Sequence, residues 1–420
     1  MKKGFTLIEL LAVILILGII ALIAIPTVNK IVNEAKLSAY RVTVDNTLKA
    51  VETHCKLDLL KNNKPNLIYT LYDGEFIDDI DIKGSLPKEG YITLDSNCNI
   101  DYYYLVDDKM VKKNTELFED QMIMQATKKE ESIFKTLYNS YYDNIDSISF
   151  INNLNIPEGA LEINDISVSK NGKVKSWLVE NSGLYHLYIG SNDKIYTNYN
   201  SYFLLAYNNA TTINLDNLYT DYTYKMDDMF GYMKNINTID VTKFNLEKTT
   251  SIQGMFIFSK KLTTIIGLEN FNVENVRNFQ SVFNDTQLLS NANLTNWKPK
   301  KVKNMHAMFH CPQVIEYVDL SNFDVSEVEM ISTLFYSSHK LKTVKFSNWN
   351  LPNNVFVNEI VFSDNPYLDY IYLDGASDTT INIIAKALKN ANSNASNKII
   401  YVDEVKATYP EVPGWTYQAI

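Results

Sequence analysis

The sequence predicts an α+β protein: a long N-terminal transmembrane helix with a small antiparallel sheet, then a short β domain, then a stack of about six 26-residue units. Three observations predict it. The run Phe5 to Ile25 holds Glu9 as its only ionisable residue, and at 1.5 Å per residue such a helix covers roughly the 30 Å hydrocarbon core of a bilayer. Tyr91-Ile92-Thr93-Leu94 and the run Ile100 to Val106 flank the turn-rich Asp95-Ser96-Asn97-Cys98-Asn99, which reads as a hairpin. Beyond residue 213, apolar columns recur in register.

Lys2 and Lys3 stand just before the apolar run. Positive charge favours the cytoplasmic side, so residues 1–4 stay inside and the chain after Pro26 faces outward. A secretory signal would end in small residues of the Ala-x-Ala kind, and none follows Ile25. Nor does a plain anchor explain Glu9, because a carboxylate inside the apolar run costs on the order of a few kcal/mol without a partner.

Gly4-Phe5-Thr6-Leu7-Ile8-Glu9-Leu10, behind a short basic leader and before an apolar helix, resembles the prepilin motif of type IV pilins and pseudopilins. The resemblance covers about thirty residues. It implies cleavage after Gly4 by a prepilin peptidase, N-methylation of Phe5, and pairing of Glu9 with the new N-terminal amine of a neighbouring pilin or pseudopilin subunit. An ammonium and a carboxylate paired in low dielectric avoid the penalty that either suffers alone. Residues 1–4 are then a leader and 5–125 a pilin-like domain.

After Pro26 the helical period continues through Val28, Ile31, Ala35, Ala39 and Val42, then through Val44, Leu48, Val51, Cys55 and Leu59. It stops before Asn62-Asn63-Lys64-Pro65, so the helix should end near Lys61. The carboxylates Asp73, Glu75, Asp78, Asp79 and Asp81 read as a solvated acidic loop; calcium is the alternative there. Three cysteines are too few for a disulfide scaffold and lack zinc spacing. Cys55 and Cys98 are either one bridge or two buried thiols, and Cys311 is a lone core thiol.

Residues 126–159 read as a connector, with a helix from Asn114 through Thr136. Short local antiparallel strands follow in 160–212, among them Ile166-Ser167-Val168, the run Ser176 to Val179 and the run Tyr185 to Ile189. In 213–375 one column runs Phe230, Phe256, Phe283, Phe309, Phe335, Phe362 at spacings of 26 or 27, and a second runs Leu218, Phe244, Phe271, Trp297, Phe323, Trp349. A unit with an apolar edge cannot bury it alone, so neighbours stack and the columns become one core. Residues 376–420, with an amphipathic helix from Ile381 to Ala391, read as the cap.

The wording of the units, as in Val318-Asp319-Leu320-Ser321-Asn322-Phe323-Asp324-Val325-Ser326 and Asn304-Met305-His306-Ala307-Met308-Phe309, resembles the BspA-type leucine-rich-repeat surface proteins over about residues 160–375. The resemblance implies a leucine-rich-repeat-like solenoid that binds a surface or extracellular partner.

The charge of −10 over 420 residues, with no long basic tract, speaks against direct binding of nucleic acid. No Gly-rich phosphate loop, Gly-x-Ser-x-Gly elbow or His-Glu-x-x-His occurs, so neither catalysis nor a cofactor is expected. His306, His310 and Cys311 are the only histidine cluster, and they fall on repeat positions filled elsewhere by residues such as Gly231 and Tyr336. No metal is expected there. The chain reads as a single-pass cytoplasmic-membrane protein that moves to the cell surface or a pilus, where its head adheres to an unidentified extracellular protein. A minor pseudopilin of a type II secretion or competence system is the alternative, as is a membrane-anchored binding protein that never polymerises.

Overall fold

The computed structural model describes the chain apart from residues 1–6, 62–67, 73–74, 77–85, 88, 96, 108–109, 114–121, 124–131, 168–171, 199, 222, 288–293, 301, 313, 359 and 392, and apart from some side chains within helices and strands, residues 7–31 among them. The chain divides into two units, Met1–Asp120 and Gln121–Ile420.

In the first unit, helix α1 spans Leu7–Leu60. Strands β1 (Ile68–Tyr72), β2 (Glu75–Phe76), β3 (Glu89–Leu94), β4 (Ile100–Asp107) and β5 (Met110–Lys113) follow. They form one antiparallel sheet in the order β2-β1-β3-β4-β5. The helix buries Tyr40, Val44, Thr47, Val51 and Cys55, a spacing of three or four that puts them on one face. Val42 and Leu59, expected on that face, are exposed. Against the face lie Tyr69, Leu71, Ile92, Leu94, Tyr103 and Leu105. Polar contacts fix the docking: Tyr40 Oη donates to the Leu105 carbonyl at 2.9 Å, and Glu52 accepts from the Ile100 amide at 3.2 Å. A disulfide joins Cys55 to Cys98, whose Cα atoms are 5.7 Å apart.

The second unit opens with β6 (Met122–Ile123), helix α2 (Ile133–Leu137) and β7 (Ile145–Ile151). Then come β8 (Leu161–Asp165), β9 (Lys175–Asn181), β10 (Leu184–Gly190) and β11 (Ile195–Tyr196). Next are β12 (Thr212–Asn214) and β13 (Leu218–Tyr219). The β9–β10 hairpin turns on Ser182 and Gly183, both at positive φ, as a tight two-residue loop between right-twisted strands requires. The sheet β12-β7-β10-β9-β8 is mixed, because β7 runs parallel to both β10 and β12. The antiparallel pattern expected here therefore holds for β8–β9–β10 only. Part of the expected connector, α2 and β7, instead lies in the core: Phe134, Ile148 and Phe150 are buried.

From Asn200 onward the chain makes tight turns in parallel register, bridged in sequence at Asn200, Lys225, Ser251, Asn278, Asn304, Met330 and Phe356. Alternate amides reach the next turn: Asp228 to the Gln253 carbonyl at 2.7 Å, Phe230 to Met255 at 2.9 Å, Tyr232 to Ile257 at 2.7 Å. The amides between them close the turn itself, Met229 to Met226 and Gly231 to Asp228. Donors thus point one way along the stack and acceptors the other, which leaves orphan groups at each end. Ser132 Oγ and Tyr142 Oη donate to the Leu204 and Ala206 carbonyls at 2.8 and 2.7 Å. At the far end the Asn365 amide reaches the Ala391 carbonyl.

The outer strands of the turns are three residues long. They are β14 (Thr238–Asp240), β15 (Thr264–Ile266), β16 (Tyr317–Asp319), β17 (Thr343–Lys345) and β18 (Tyr370–Tyr372). Helix α3 (Asp378–Leu388) comes next, then β19 (Ile399–Val402) and β20 (Thr416–Ala419). β16 to β20 form one parallel sheet, so the segment read as a cap adds two more strands to it. Inside, the rings of the first column follow one another at centroid distances of 5.3 to 6.0 Å. Trp297 and Trp349 are buried, and their indole N–H groups donate to the Leu268 and Leu320 carbonyls.

The fold class expected from the sequence is corrected. The chain is mostly sheet, with 16% of it helical, and among the described residues no helix is long and apolar enough to cross a membrane. The expected α+β class, with its transmembrane helix and leucine-rich-repeat-like solenoid, does not stand. Between the columns the units carry Asp, Asn, Ser and Thr, whose side chains take up nearby amides. Asp240 accepts from Thr242, Asn245 from Glu247 and Asp324 from Ser326, each amide at 3.0 Å. Such bonds compete with helix and hold the chain in turns.

Candidate interaction face

Gly4 and Phe5 lie outside the described residues. Glu9 falls within α1, but its side chain, like those of the whole Phe5 to Ile25 stretch, is outside them too. Most of the acidic loop of residues 73–81 is likewise outside. The first described geometry with chemical content is therefore in the second unit.

Positions two before and two after the column residues adopt positive φ, except the one before Phe362. Before the column they are Phe203, Asp228, Gly254, Ser281, Ala307 and Thr333; after it they are Tyr207, Tyr232, Phe258, Asp285, Cys311, Ser337 and Asp364. Left-handed backbone in a tight turn turns these side chains away from the core column. The sequence reading missed this row and the turn that begins it, centred on Leu205. A leucine in a phenylalanine column hid that turn, although Tyr207, Tyr232 and Phe258 repeat at 25 and 26 residues.

The row after the column has two characters. Its first half is aromatic: Tyr207 stacks on Tyr232 at 4.3 Å with 9° between planes, and Tyr232 lies 5.1 Å from Phe258. Tyr207 is 38% exposed, and the Lys135 ammonium sits 6.0 Å from its ring centroid. Its second half is polar. Lys260 pairs with Asp285 at 2.7 Å, and Ser337 and His339 both bond to Asp364, at 2.6 and 2.7 Å.

Near Tyr207, within electrostatic reach of its hydroxyl, is Asp228, with Asp227 before it in the chain. Asp227 accepts from Ser251 Oγ and, at 3.1 Å, from the Gln253 amide. Burial raises its carboxyl, opposed by Ser251 and by the nearby Lys225. Asp228 is 8% exposed; burial first and Asp227 second push it up to about 7, while the Tyr202 hydroxyl pulls it down. Gly254 makes the space for it, since a Cβ there would stand 2.2 Å from Asp228 Oδ1. Tyr207 is raised to about 12 by burial, by Tyr232 and by Asp228.

The histidine and cysteine positions are built into the turns. His306 contacts Thr333 Oγ1 at 3.4 Å, and His310 meets the Tyr336 ring edge-on at 5.1 Å. Burial lowers His310, and burial with Asp285 raises the Cys311 thiol. A raised thiol is a poor nucleophile. Among the described residues no three His, Cys, Asp or Glu are grouped to hold a metal ion.

Residues 1–25 match the prokaryotic N-terminal methylation motif. Residues 197–287 and 257–368 match a family described as Mycoplasma protein of unknown function, DUF285. No curated protein and no solved structure matches the chain. The motif implies pilin-like processing, and with it a prepilin peptidase, assembly with pilin subunits, and a membrane or surface location.

Proposed function

We propose that the chain is a pilin-like surface protein, cleaved after Gly4 and methylated on Phe5, whose N-terminal helix joins it to a type IV pilus-like filament or its tip. The turn stack is its head, and it binds a protein on another surface without catalysing a reaction. The observation that carries this reading is the methylation motif of residues 1–25 in the same chain as a second compact unit of stacked turns, with the half-exposed aromatic row Tyr207, Tyr232 and Phe258. A bulky head at every filament position would crowd its neighbours, which favours a low-copy or tip subunit.

Mass spectrometry of the N-terminal peptide from a sheared surface fraction tests it. The expected peptide begins at Phe5 with a methylated amine, and chains that begin only at Met1 in cells with active prepilin peptidase would overturn it. Glu9→Ala should leave cleavage intact and reduce incorporation into filaments, because only the partner of the neighbouring amine is lost. Normal incorporation would remove the pairing from the proposal.

A further inference from the structure

Tyr207 and Tyr232 occupy the same place in two adjacent turns, and the backbone is left-handed at both, with φ of 61° and 60°. The Tyr207 amide bonds to the Gly231 carbonyl at 2.9 Å, so the turns are in register where the two side chains leave. Equal backbone geometry in register sends both rings the same way, and they stack at 4.3 Å with 9° between planes. Their hydroxyls interact with each other, so the phenols point in one direction and the carbons ortho to each hydroxyl face one another. Tyr207 is 38% exposed and Tyr232 is partly exposed, which lets a small oxidant reach the pair.

Two other tyrosine contacts are less well disposed. Tyr372 and Tyr401 stand 4.6 Å apart at 22°, and Tyr141 meets Tyr185 edge-on at 4.9 Å and 71°. Two phenoxyl radicals couple through their ring faces, an overlap that a parallel stack supplies and an edge-on pair lacks. Holding both rings in place makes the coupling effectively unimolecular. Phe258 stands next in the row, and without a hydroxyl it cannot form a phenoxyl radical, so coupling along the row stops at the pair.

We propose that Tyr207 and Tyr232 are a site of oxidative cross-linking, joined by a carbon–carbon bond between ortho ring carbons when the chain meets hydrogen peroxide and a one-electron peroxidase. Each phenol loses one electron and one proton, the two radicals form one bond, and the ortho hydrogens shift to the phenol oxygens to restore both rings. Two phenols and one hydrogen peroxide thus give one dityrosine and two waters. The bond spans 25 residues, from 207 to 232, and restricts the unfolded chain as a disulfide does. It staples the first turn of the stack to the second. Both partners belong to this chain, so the site does not depend on what the head binds.

The test treats the full-length chain in non-ionic detergent, dilute enough to keep chains apart, with hydrogen peroxide and a haem peroxidase, and maps the products by mass spectrometry. A linked pair of peptides holding Tyr207 and Tyr232, lighter than the free peptides by two hydrogens and with dityrosine fluorescence, is expected within single chains. Tyr232→Phe keeps the ring, as Phe258 does in the next turn, and should abolish that product, whereas Tyr401→Phe should leave it unchanged. Treatment should raise the tryptophan-fluorescence melting transition by about 5 °C in the wild type and not in Tyr232→Phe. Links that form only between chains, or only between Tyr372 and Tyr401, would overturn the site, as would dityrosine fluorescence undiminished in Tyr232→Phe. Absence of any link while free tyrosine in the same mixture couples would overturn it too, and a linked chain that melts with the unlinked one would overturn the staple.

Discussion

At the residue scale, Asp228 shows what burial does to a charge kept inside a turn. Its folded value of about 7 lies above the unfolded carboxylate value, so between roughly pH 4 and 7 the folded chain holds a proton that the unfolded chain has released. The contribution of Asp228 to the stability of the second unit is then greatest below that window and falls as pH rises through it. Asp228 interacts with Asp227, Tyr202 and Tyr207, while Lys225 acts on Asp227 and Tyr232 on Tyr207. Asp228→Asn removes the titration, so the variant should melt higher than the wild type at pH 8, by an amount on the order of a few kcal/mol in stability, and the difference should vanish near pH 4. Melting temperatures of both chains between pH 4 and 8 check this; parallel curves would show that the carboxyl is not the group that titrates. None of it was legible in the sequence, where Asp227-Asp228 is one acidic dipeptide among many. Its depth depends on Gly254, a turn away, and on the positive φ that both positions adopt. The period was legible; the direction in which each side chain leaves the turn was not.

At the element scale, the aromatic columns were legible because a stacked core needs the same residue type at the same place in each unit, and Phe230 to Phe362 supply it. The elements between them were not. Apolar spacing does not say whether Asp, Asn and Thr will sit in helix or take up backbone amides, and here they cap turns such as Asp240–Thr242. The first end was missed for the same reason: Ser132 and Tyr142 are distant in sequence from the carbonyls they cap, and nothing local announces them. The column carries a direct test. Phe309 is fully buried between Phe283 and Phe335, and Phe309→Ala should cost about 3 to 5 kcal/mol. Tyr336, half-buried and in contact with His310 at one edge, should cost about 1 kcal/mol or less. Hydrogen exchange separates the two, with lost protection spreading into adjacent turns only for Phe309→Ala.

At the scale of the whole molecule, the chain carries two cores. One gathers Tyr40, Val44, Val51 and the first sheet; the other runs from Ile133 to Val412. The sequence reading ends the first domain at residue 125, and the boundary between the two units falls after Asp120. Separate cores predict separate unfolding, and the disulfide offers a handle on one of them. Cys55 and Cys98 are 43 residues apart, so the bridge restricts a long loop of the unfolded first unit and, on the chain-entropy view, stabilises it by about 4 kcal/mol. Replacing both cysteines with alanine also removes two buried sulfurs, one from the face that α1 presents to its sheet and one from the β3–β4 loop. The first unit should therefore lose most of its stability while Phe230, Trp297 and Trp349 stay packed. Two-probe melting resolves the two: far-ultraviolet dichroism follows α1, and tryptophan fluorescence follows the second unit, because Trp177, Trp297, Trp349 and Trp415 all lie there. The variant should shift the dichroism transition down and leave the fluorescence transition in place. A fluorescence transition that moved by the same amount would show one cooperative body in place of two.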